Sequence, residues 1–122
     1  MQVKDKLVFR LGAFLAIVGL VMGTLGAHGI KFETPELHKL FDTGVLYIFF
    51  HVPVLLILGI LGCRKEALLM AAGVCCFSIP LIIKGITGVS GGIIVPVGGM
   101  LMIVSWLWVL IGGGEVNPED SE

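Results

Sequence analysis

Charge is scarce in this sequence. Asp, Glu, Lys and Arg make up 14% of its 122 residues, whereas soluble domains carry about 25%, and the formal net charge is only -1. That balance excludes the dense basic surface of a nucleic-acid-binding protein. Cysteine is scarce too. Cys63, Cys75 and Cys76 form an odd set without CxxC spacing, so no disulfide framework is expected. Cys75 and Cys76 lie in an apolar run and read as small core residues. The histidines, His28, His38 and His51, show neither HxxxH nor HExxH spacing, and no zinc site is expected. No Ser-His-Asp order with a nucleophile elbow is present. Gly23, Gly26 and Gly29 imitate a phosphate-binding loop, but no Lys-Ser/Thr pair follows and the glycines end a helix instead of opening one. Nucleotide binding is therefore excluded, and neither an enzyme activity nor a cofactor is expected.

Apolar length is what the chain has. Hydrophobic residues reach 57% and the mean hydropathy is +1.05. Crossing the roughly 30 Å hydrocarbon core of a bilayer takes about 20 residues, and four runs qualify: 7–27, 44–62, 67–86 and 92–112. Residues 1–113 read as one transmembrane domain, followed by a disordered acidic tail over 114–122. The first run reads as a retained helix. Its apolar part exceeds a leader's usual length, and cleavage after Ala27 would place Leu25 where a small residue is needed. Lys4, Lys6, Arg10, Arg64 and Lys65 fall on one side of the membrane; Lys31, Lys39 and Lys84 fall on the other. The richer side faces the cytoplasm, so both termini are expected there, in a bacterial inner membrane. Cys63 then lies in a reducing compartment as a free thiol.

Glycine sets the expected packing. Gly12, Ala16, Gly19, Gly23 and Gly26 are spaced 4, 3, 4 and 3 apart, a stripe of small residues that lets another helix approach closely in lipid. Gly29 is expected to close the helix in a left-handed turn. Between spans 1 and 2, Thr34 reads as an N-cap and Pro35 as the first helical residue. Leu37, Leu40 and Phe41 then give a short amphipathic helix at the interface, running towards the second span. Asp42 reads as a cap at the start of span 2. Gly98 and Gly99, in the PVGG block, are expected to bend the start of span 4 and admit a close neighbour.

Several blocks carry a resemblance. GTLGAHGIK, LFDTGVLYIFFH, CCFS and VPVGG with a later SW resemble the signature of a family of small inner-membrane proteins of unknown function that includes bacterial YgdD and YwdK and a mitochondrial relative. The resemblance covers nearly the whole chain in order. Its strongest pieces are Gly26-Ala27-His28, Thr43-Gly44, Tyr47, His51, Pro96 to Gly99, and Trp106. It implies four transmembrane helices and no established activity. Relatives carry a polar stretch with serine and tyrosine after the Phe-Ser of the third helix. Here Phe77-Ser78 runs into Ile79, Pro80, Leu81 and Ile82, so a polar site from that stretch is not carried over.

The candidate polar site comprises His28, Thr43, Tyr47 and His51. The last three are spaced i, i+4, i+8 on one helical stripe, and His51 lies about 12 Å into its span at 1.5 Å per residue. A neutral His51 bridging helices, with Tyr47, Ser78 or a carbonyl freed by Pro53 as partner, is the leading reading. A proton-handling group and a metal or haem ligand stand beside it. His28 reads as an interfacial side chain bonded to the next loop, His38 as solvated, and Lys84 as snorkelling outward. Trp108 fits an interfacial belt, and Trp106 either joins it or packs inside. The expectation is an all-α, antiparallel four-helix transmembrane bundle with a short interfacial helix between spans 1 and 2. It acts in the lipid bilayer as a non-enzymatic accessory or scaffold protein, homo-oligomeric or docked on a larger membrane complex. The alternatives are a small transporter or channel component with a path at His51 and Tyr47, or a haem- or metal-binding redox subunit.

Overall fold

A backbone at membrane depth must satisfy its own hydrogen bonds, which leaves helices for a chain of long apolar runs. The computed structural model describes residues 2–112. It contains four helices: α1 (Lys6–His28), α2 (Pro35–Leu61), α3 (Arg64–Thr87) and α4 (Ile94–Gly112). All four are long and apolar enough to cross a membrane, and no strand occurs among the described residues. The tail expected over 114–122 lies outside them.

The helix ends follow from local chemistry. Asp5 caps α1, its carboxylate accepting from the Val8 N–H at 3.2 Å. Thr34 caps α2 by accepting from Leu37 N–H at 3.2 Å, with Pro35 first in the helix. The amphipathic segment behind Thr34 runs without a break into the second span and forms its opening turns. No breaker stands between Phe41 and Gly44, so nothing stops the helix once it is capped. Asp42 is accordingly an interior residue of α2, not a cap. Gly62 and Gly88 end α2 and α3 at φ 82° and 78°, a left-handed conformation that favours glycine. Gly29 ends α1 differently from expectation. Its φ is -113°, and the N–H groups of Gly29 and Ile30 both donate to Leu25 O, at 2.7 and 2.9 Å. That bifurcated pair closes the helix without a left-handed residue.

The helices pack antiparallel and in chain order. α1 lies on α2, α2 on α3 and α3 on α4, while the backbones of α1 and α4 do not approach each other. Burial follows this order. Some 44% of the most apolar stretch of α2 and of α3 is buried, against 22% for α1 and 17% for α4, so α2 and α3 form the centre and α1 and α4 the edges. Phe41, Ile48, Leu55, Met70 and Val74 are the large side chains of the core.

Small residues mark every crossing. On α1, a Cβ at Gly12 would lie 3.1 Å from Leu56 Cδ2 and one at Gly19 3.2 Å from Ile48 Cγ2, while one at Gly26 would enter the Phe41 ring. Gly23 is looser, 3.6 Å from Val45 Cγ1, and Ala16 packs against the same core. Between α2 and α3, a Cβ at Gly44 would stand 2.9 Å from Ser78 O. Between α3 and α4, one at Gly73 would stand 2.7 Å from Met102 N, and one at Gly98 would strike the Cys76–Phe77 backbone. Gly99 meets only Phe77 Cδ2, at 3.8 Å.

Candidate functional site

His51 lies in the fifth turn of α2 and is 2% exposed. Its Nδ1 is 2.8 Å from the carbonyl oxygen of Tyr47, one turn back. Its Nε2 is 3.1 Å from Nε1 of Trp106 on α4. An indole N–H only donates and a carbonyl only accepts. Both bonds therefore form together in one state: a neutral imidazole with the proton on Nδ1, given to Tyr47, and the lone pair on Nε2, taking the Trp106 N–H. The bond is interhelical, and it joins two helices whose backbones otherwise keep apart.

Aromatic rings surround this link. Phe50 meets His51 edge-on at 5.3 Å between centroids, and Tyr47 meets Phe77 edge-on at 4.8 Å. Tyr47, Phe50, His51, Phe77, Gly99, Met102, Ile103 and Trp106 line a groove of about 270 Å³. Tyr47 is 38% exposed, and its hydroxyl has no hydrogen-bond partner among the described residues. Among the described residues no carboxylate, lysine or arginine lines the groove. The arrangement holds α4 against α2 and leaves His51 no free nitrogen.

The other expected members stand apart. Thr43 donates to Lys39 O at 2.8 Å within its own helix. His28 is exposed at the last residue of α1. His38 is not simply solvated: it stacks on Phe32 at 4.3 Å and stands 3.4 Å from Asp42. Ser78 Oγ is buried without a partner and does not reach His51. Among the described residues no three His, Cys, Asp or Glu side chains gather as a metal site. Trp106, the partner that completes the site, stands 55 positions from His51, and its spacing gave no signal of the pairing.

A second polar cluster lies at the membrane edge. Arg64, opening α3, holds Asp5 through Nε–Oδ2 at 2.6 Å and Nη2–Oδ1 at 3.1 Å. Asp5 N–H also donates to Gly59 O at 2.9 Å, so the residue before α1 is tied to the end of α2 and the start of α3. The Arg64 bond holds the Asp5 carboxyl below the usual carboxylate range, against its own burial, with help from the Val8 N–H. Nearby, burial pushes the Cys63 thiol up and the Glu66 carboxylate adds to the rise, which disfavours a reactive thiolate.

Residues 22–99 match the family described as protein of unknown function (DUF423). Over 116 residues the chain is 31% identical to the UPF0382 membrane protein YwdK of Bacillus subtilis, covering 87% of this chain and 94% of that one. A UPF0382 membrane protein of Staphylococcus aureus is 30% identical over 114 residues, covering 87% and 93%. No solved structure matches.

Proposed function

This chain belongs to the DUF423 family of membrane proteins, and on that premise we propose that it is a non-enzymatic accessory or scaffold protein working through helix–helix contacts. The observation that carries this reading is the open order of the helices. α1 and α4 each have one packed neighbour and leave their outer faces free: Phe14, Ile17 and Leu20 on α1, and Met100, Ile103 and Leu107 on α4. Two unpaired edges on so small a body suit docking on the transmembrane helices of a larger complex. The engaged His51 nitrogens speak against a proton path through that residue. The free Tyr47 hydroxyl, on a groove wall, keeps a transporter or channel component as the second reading.

Single cysteines at Met100 and Ile103 on α4, with native Cys63, Cys75 and Cys76 replaced by Ala, test the docking. In native membranes these should crosslink to a larger partner that a cysteine at the buried Val74 does not capture. Crosslinks from neither position, with the protein extracting as a monomer, would overturn the proposal. The inner membrane and cytoplasmic termini belong to the same proposal. A cysteine near Glu33 should react with an impermeant reagent applied from outside, and one at the C-terminus should not.

A further inference from the structure

Lys6 and Arg10 stand one helical turn apart on α1, both exposed, where the first span enters the membrane. At about 1.5 Å per residue, Arg10 lies about 6 Å further along the helix than Lys6. Neither has a hydrogen bond or an ion pair among the described residues. Asp5, beside them in sequence, is consumed by Arg64 through both oxygens. Among the described residues, two cations therefore remain without an anion at the edge of the hydrocarbon.

They also line a cavity. Gln2, Val3, Lys6, Phe9 and Arg10 enclose a cleft of about 400 Å³. The chain beside Gln2 and Val3 is anchored to the end of α2, where Lys4 N–H donates to Ile60 O at 3.4 Å and Asp5 N–H to Gly59 O at 2.9 Å. The lining is of two kinds: two cations and an amide, then Val3 and the Phe9 ring. A free inorganic anion gains nothing from the apolar part. A phospholipid uses both, its phosphate between Lys6 and Arg10 and its upper acyl chain along Phe9.

From this cleft we infer that the N-terminal end of α1 is a binding site for the phosphate of an anionic glycerophospholipid. The site stands independently of any docking role. Basic pockets beside transmembrane helices take such headgroups, each cation contributing about 1 kcal/mol, or roughly fivefold in affinity.

Native mass spectrometry of the full chain, released from mixed micelles containing phosphatidylglycerol or phosphatidylcholine of the same chain length, tests this. Phosphatidylglycerol should bind roughly tenfold or more tightly than phosphatidylcholine. Lys6→Gln and Arg10→Gln should each lose about fivefold, Lys6→Arg should retain binding, and Lys65→Gln, outside the cleft, should change nothing. Equal binding of the two lipids would overturn the site. So would a loss in Lys65→Gln as large as in Arg10→Gln, which would mean attraction by general surface charge. Displacement of the lipid by millimolar inorganic phosphate would overturn it as well, in favour of a free-anion site.

Discussion

α1 and α4 are both edge helices, but they are held differently. α1 meets α2 along most of its length through Gly12, Gly19 and Gly26, and its first residues are latched by Asp5 and Arg64. α4 meets α3 backbone to backbone at Gly73 and Gly98, and one side-chain hydrogen bond ties it to α2, a helix whose backbone it does not approach. The difference shows how little a membrane helix needs. In lipid, apolar burial drives no association, so contact rests on close packing and on polar links. The α1 stripe sets its glycines against side chains of α2, while Gly73 and Gly98 set one backbone against another.

The strongest way to break the comparison is at the backbone contact. Gly98→Leu drives a side chain into the Cys76–Phe77 backbone, which has no flexible end to move aside. It should cost upward of about 3 kcal/mol and free α4, read as a lost crosslink between cysteines placed at Phe77 and Gly99, where a side chain is tolerated. If the crosslink persists at the parent rate, the crossing does not hold α4. On α1 the same change should cost less, because the neighbours are side-chain atoms that can shift. Gly19→Leu meets the ends of Ile48 and Phe49 and should lower thermal stability in detergent by about 1–3 kcal/mol. Leu20→Ala, on the lipid face at 61% exposure, should stay within about 0.5 kcal/mol. Equal effects from the two would sink the packing role of the stripe.

Smaller again is the polar link of α4. His51→Leu and Trp106→Phe each remove the bond at 3.1 Å. Hydrogen bonds between membrane helices average about 0.6 kcal/mol in double-mutant cycles, with a maximum near 1.7. The coupling of these two residues should fall in that range. A coupling of zero would leave the bond without a part in holding α4 to α2.

What the sequence made legible follows the range of the signal. Four spans could be read from run length, and the α1 stripe from spacing, because both are local. The continuity of α2 is harder to read, although Thr34 and Pro35 announce its start: the polar stretch resembles an element of its own, and only the lack of a breaker between Phe41 and Gly44 joins it to the span. Once α2 begins at Pro35, His38 and Asp42 become an i, i+4 pair on its first turns. The long-range pairs had no local trace. Trp106 meets His51 across 55 positions and Arg64 meets Asp5 across 59, and both depend on how the helices are laid side by side. Gly73 was likewise invisible as the partner of Gly98, since a lone glycine in a span shows no stripe.

The smallest effect concerns the latch of α1, and pH separates it from everything at α4. Asp5 has a carboxyl held below its ordinary range by Arg64 and the Val8 N–H. A depressed carboxylate contributes its stability in full above the unfolded pKa and loses it as pH falls through the folded one. The latch is therefore intact at neutral pH and weakens only in acid, below the usual carboxylate range. Asp5→Asn keeps the cap on Val8 in outline but loses the ion pair. It should lower the thermal midpoint slightly at pH 7 and remove part of the parent's decline in acid, so that the two proteins converge as pH falls. Arg64 is more than half exposed, and salt should shrink the difference further. The readout belongs at the α1 edge: a crosslink between cysteines at Gly12 and Leu56 should weaken in the variant, and the Phe77–Gly99 crosslink should not. Parallel pH profiles for parent and variant would show that Arg64 and Asp5 meet without fastening α1.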